Sequence, residues 1–170
     1  KALALAGLCA SVFGGMACVA RPLGGYIGDR FGKSGGFTGR VRWLFLVLFG
    51  EGVLLMLFSQ ARTIAMAIPA LMLFGLFVHM AAGATFAVVP FVNRRVLGSV
   101  AGIVGAGGNA GAVLSGFLFK MEGVSWTTAL FVLGVVVTVG SFSSLLIGEQ
   151  REEADDARAS APMPALADAT

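Results

Sequence analysis

The sequence predicts an all-α membrane protein of five spanning helices, and three observations lead there. Apolar runs of about 20 residues, the length a hydrocarbon core roughly 30 Å thick requires, recur along a chain whose mean hydropathy is +0.89. Charged residues make up 12% of the 170 positions against 57% hydrophobic ones, where a soluble domain carries about 25% charged residues. The few cations gather in short turns between the apolar runs, where they orient a membrane protein. Helices are the only spanning structure these runs support, because an open strand edge would leave N–H and C=O groups unpaired in lipid.

The first span covers residues 3–28 and leads into a polar, Gly-rich turn at 29–42. The second, 43–58, is short unless its flanks are counted, and a small turn at 59–63 follows. The third runs over 64–90, with Pro69 and Pro90 near its ends, where a missing N–H costs least. After Asn93, Arg94 and Arg95 comes a fourth span at 96–119, a turn at 120–125 and a fifth span at 126–147. Residues 1–148 thus form the membrane domain. Residues 149–170 are charged and Ala/Pro-rich, too poor in apolar bulk to build a core, and are expected to form a disordered cytoplasmic tail. The chain opens on Lys1 with no cleavable apolar signal, so it is expected to be part of a longer protein.

The formal charge of +3 does not point to nucleic acid, since the cations sit between spans. Arg30, Lys33, Arg40 and Arg42 follow the first span and Arg94 and Arg95 the third, while the alternate turns hold only Arg62 and Lys120. By the positive-inside rule the cation-rich turns and the tail are cytoplasmic. Cys9 and Cys18 are nine positions apart on one helix, about 13 Å along its axis, too far to bridge. No grouping of His, Cys or carboxylates carries metal or acid–base spacing, so neither an enzyme nor a metal site nor a cofactor is expected.

The feature that points to function is Arg21, a cation inside the first apolar run. At the centre of a membrane helix an arginine costs roughly 2.5 to 3.5 kcal/mol, so it requires a partner or a hydrated cavity. Arg21 lies nine residues before Arg30, Thr85 nine before Arg94, and Glu51 nine after Arg42; each is about 13 Å from its cytoplasmic end. Asn109 also falls near the middle of its span. Gly7, Gly14, Arg21 and Gly28 recur every seven residues, and Gly102, Gly105, Asn109, Ala112 and Gly116 flank the asparagine with small residues. Such stripes allow either close helix contact or room for a solute. Arginine offers a permanently charged planar fork that suits a small planar anion, with Asn109 and Thr85 as neutral donors. Glu51 is a candidate for proton coupling, and His79 reads as a hydrogen-bonded packing residue.

At residues 25–33, GYIGDRFGK resembles the cytoplasmic-loop signature of the major facilitator superfamily, keeping Gly25, Asp29, Arg30 and Gly32, with Lys33 in place of an arginine. ARPLGGYIGDRFG at 20–32, GATFAVVPFVNRRVLG at 83–98 and GAGGNAG at 105–111 together resemble the second half of the nitrate/nitrite porter family, particularly its high-affinity nitrate transporters. The resemblance implies that the spans are helices 8 to 12 of a twelve-helix transporter working by alternating access, in a plasma membrane or bacterial inner membrane. A register as helices 2 to 6 is the rival, and the Ala-rich tail and the 83–98 segment favour the later one. Arg21 matches the family's substrate-binding arginine, and Gly105, Gly107, Gly108, Asn109 and Gly111 match its glycine-rich nitrate signature. The implied partners are a nitrate or nitrite anion, the lipid bilayer and a missing N-terminal half. A carrier of another small anion and a non-transporting scaffold are the alternatives.

Overall fold

A computed structural model describes the backbone of residues 2–92 and 94–160 and the side chains of residues 3–92 and 95–147. The described residues form four α-helices and no strand: α1 (Ala2–Ser59), α2 (Ile64–Val92), α3 (Leu97–Lys120) and α4 (Trp126–Ser160), with a 3-10 turn at Arg94–Val96 before α3. Each α-helix is long and apolar enough to cross a membrane.

Four separate elements stand where the sequence predicts five, because the first two spans and the turn between them are helical almost throughout. The element is broken at one residue, Gly36, whose φ of 59° and ψ of −143° reverse the chain. Only a residue without a Cβ enters that region readily. The turn expected at 29–42 is therefore a short reversal with helix on both sides, and α1 consists of a first limb before Gly36 and a second limb after it. Trp43 donates its indole N–H to the Gly24 carbonyl at 2.8 Å, and its ring stacks on Phe31 with centroids 5.4 Å apart. These contacts hold the limbs against each other.

The core lies between the two limbs and α2. Ala20 from the first limb, Leu44 and Val47 from the second, and Met80, Ala81, Ala84 and Val88 from α2 form one buried cluster. Small residues let the backbones approach: a Cβ on Gly83 would fall 2.9 Å from the Arg21 carbonyl carbon, and one on Gly24 would fall 2.7 Å from Met80 Cα. In lipid, where apolar side chains gain little by leaving the solvent, such contact is a principal source of helix association. Next to Met80 of this cluster, buried His79 donates from Nε2 to the Phe13 carbonyl at 3.0 Å, the packing role expected of it.

Helix α4 packs on the second limb. Gly52 and Gly134 face each other across that interface, Phe142 meets Phe45 and Phe49 with centroids 5.3 and 6.2 Å apart, and Ser141 and Ser144 are buried with their hydroxyls returned to carbonyls of their own helix. Helix α3 differs from the others: it packs lightly on α2 and α4 and buries none of its residues.

Helix α4 begins at Trp126, the first residue of the fifth predicted span, and is apolar through Ile147, the last of its residues whose side chain is described. The helix itself continues to Ser160, so residues 149–160 are helical where a disordered tail was expected. Glu, Gln, Ala and Arg dominate that stretch and are strong helix formers, and an existing helix extends without a new nucleation step. Residues 161–170, the remainder of the expected tail, lie outside the described residues.

Candidate functional site

Arg21 sits on the flank of the first limb. Its neighbour Ala20 is fully buried against the core, and a step of about 100° around the helix carries Arg21 out of that interface. Its backbone lies against Gly83 of α2, while its side chain is exposed. Among the described residues the guanidinium has no hydrogen-bond or ion-pair partner.

The glycines around Arg21 divide into two groups. Gly24, Gly25 and Gly28 lie under α2 and Trp43, so their small size is used by helix packing. Gly7, Gly14 and Gly15 have open space where a Cβ would point. The stripe is thus covered on one side of Arg21 and open on the other.

The other predicted site residues are not gathered around Arg21. Thr85 is only two residues from Gly83, but two residues turn the helix about 200°, and its hydroxyl donates to the Ala81 carbonyl at 2.8 Å. Asn109 is exposed on α3, and a Cβ at Gly105, Gly107, Gly108 or Gly111 would meet nothing within 4 Å. This signature therefore packs no neighbour within the described residues. Glu51 is half-buried on the second limb, one residue from Gly52, which meets Thr138 and Gly134.

The motif at residues 25–33 forms a compact structure at the reversal. Arg40 pairs with Asp29, passes over Gly32, where a Cβ would come within 2.6 Å of the Arg40 side chain, and lies 4.2 Å from the centroid of the Phe91 ring. One arginine thereby ties both limbs of α1 to the end of α2. Sequence reading singled out Asp29 and Gly32, took Arg40 only as an orienting cation, and gave Phe91 and Trp43 no part here. The reversal at Gly36 was the signal: Asp29 lies seven residues before it and Arg40 four after, so antiparallel limbs bring them to nearly the same level.

No protein-family model matches the chain, and no solved structure matches it. Curated relatives do. The chain is 38% identical to the high affinity nitrate transporter 2.5 of Arabidopsis thaliana over 147 residues, which is 85% of this chain and 29% of that protein. It is 36% identical to the high-affinity nitrate transporter 2.3 of Oryza sativa subsp. japonica over 152 residues, covering 85% of this chain and 28% of that protein. With the nitrate/nitrite transporter NrtP of Picosynechococcus sp. the identity is 44% over 115 residues, 65% of this chain and 20% of that protein.

This chain is homologous to the nitrate and nitrite transporters. It spans less than a third of the length of these relatives. With four helices suited to crossing a bilayer, the chain is an integral, multi-pass membrane protein.

Proposed function

We propose that the chain is the C-terminal part of a secondary transporter for nitrate or nitrite, corresponding to helices 8 to 12 of a major facilitator fold. Counting the two limbs of α1 separately gives five crossings, and the reversal at Gly36 supports that count. Transport, not catalysis, is the activity, in keeping with the names of the relatives. Arg21 is the substrate-binding cation. The observation that carries this role is a guanidinium part-way along a span, without a protein partner among the described residues, two helical turns from the open position Gly14 on the same face.

An unpaired arginine in hydrocarbon is costly, and a nitrate ion held bidentately would supply the missing counter-charge. Asn109, Gly107 and Gly108 would complete the site on α3, whose exposed face then closes on the anion during alternating access. Thr85 would contribute only after releasing the Ala81 carbonyl, and Glu51 would serve proton coupling rather than anion contact. The test is Arg21→Lys in the complete transporter. Nitrate uptake is expected to fall sharply with the protein still in the membrane, because lysine keeps the charge and loses the fork. Uptake with parental saturation kinetics would overturn the assignment.

A further inference from the structure

We infer that the cytoplasmic end of the first limb of α1 carries a binding site for the phosphate headgroup of an anionic phospholipid, formed by Tyr26, Arg30 and Lys33. The inference does not depend on the transported substrate.

The geometry begins with a cleft of about 370 Å³ lined by Tyr26, Asp29, Arg30, Lys33 and Arg40. Asp29 and Arg40 are paired with each other, so their charges are satisfied internally. Arg30 and Lys33 are exposed and have no hydrogen-bond or ion-pair partner among the described residues. The cleft therefore presents two uncompensated cations and a phenol, which is 65% exposed. A phosphodiester oxygen pair matches an arginine fork, and a lysine adds a point charge.

The rest of the helix face shows why the ligand is a lipid rather than a free anion. Val12, Val19, Leu23, Tyr26, Arg30 and Lys33 fall within an arc of about 80°, roughly opposite the buried stripe of Ala20, Gly24 and Gly28. Val12 and Val19 are exposed by 50% and 71%. An apolar stripe thus runs into an aromatic residue and then two cations, which is the order of an acyl chain, the interface and a headgroup. From Val19 to Arg30 the helix rises about 16 Å, close to half of a hydrocarbon core roughly 30 Å thick. Loop charge places this end at the cytoplasmic surface, where anionic lipids concentrate.

The test is native mass spectrometry of the 170-residue chain released from micelles containing equal amounts of phosphatidylglycerol and phosphatidylcholine. Phosphatidylglycerol is expected to be retained roughly 10- to 30-fold in preference, as two surface cations would give. Arg30→Gln with Lys33→Gln is expected to abolish the preference, and Arg62→Gln, at the opposite end of the spans, to leave it intact. Both altered side chains are exposed, and far-UV circular dichroism checks that the helices persist. Equal retention of the two lipids, or a preference that survives the double substitution, would overturn the inference. Displacement of phosphatidylglycerol by millimolar inorganic phosphate would overturn it as well, since the site would then take a soluble anion.

Discussion

Replacing Gly83 with alanine tests whether backbone contact between α1 and α2 holds this structure together. The added methyl would lie 2.9 Å from the Arg21 carbonyl carbon and closer still to its oxygen, where ordinary contact begins at 3.4 Å. Both atoms belong to a helix backbone and cannot rotate away, so the helices must part by more than about 0.5 Å along their contact. Overpacking of this kind costs about 1 to 3 kcal/mol, a factor of roughly 5 to 150 in the folded-to-unfolded ratio. Equilibrium unfolding in mixed micelles, followed by circular dichroism, measures it. Gly14→Ala is the control, because nothing lies within 4 Å of that position; it is expected to stay within about 0.5 kcal/mol of the parent. If Gly83→Ala unfolds at the same denaturant concentration as Gly14→Ala, close packing at the arginine is not what joins these helices. In the complete transporter the same substitution is expected to raise the KM for nitrate, since the displaced backbone is that of Arg21.

Gly36→Ala places a Cβ at φ 59° and ψ −143° and is expected to cost about 1 to 3 kcal/mol in the same unfolding assay. Trp43→Phe keeps a ring against Phe31 but removes the N–H donated to Gly24, with an expected loss of about 0.5 to 1.5 kcal/mol. Asn109→Ala removes no described contact, so stability is expected to stay within about 0.5 kcal/mol of the parent, while uptake by the complete transporter weakens less than with Arg21→Lys. A large loss of stability for Asn109→Ala would assign the residue to packing instead of anion binding.

Much of the architecture was legible because membrane spans are encoded locally. A run such as residues 126–147 is apolar enough to define its own segment whatever its neighbours do, and α4 begins at its first residue. Glycine is less informative by itself: Gly24 and Gly14 look alike in sequence, and only α2 distinguishes the packed one from the open one. The shared depth assigned to Arg21 and Thr85 was a statement about rise along an axis. It held no information about rotation, and rotation turns Thr85 away from the face carrying Gly83.

The sequence alone determined that this protein is an integral membrane protein, where its apolar runs lie, and that Arg21 stands inside one of them, because hydrophobicity and charge act residue by residue. Tertiary structure decided which glycines carry a neighbouring helix, that Arg40 is the partner of Asp29, and that none of the described residues covers the signature on α3. Those outcomes depend on helix rotation, set by contacts between residues far apart in the chain, and on the direction the chain takes after the reversal at Gly36.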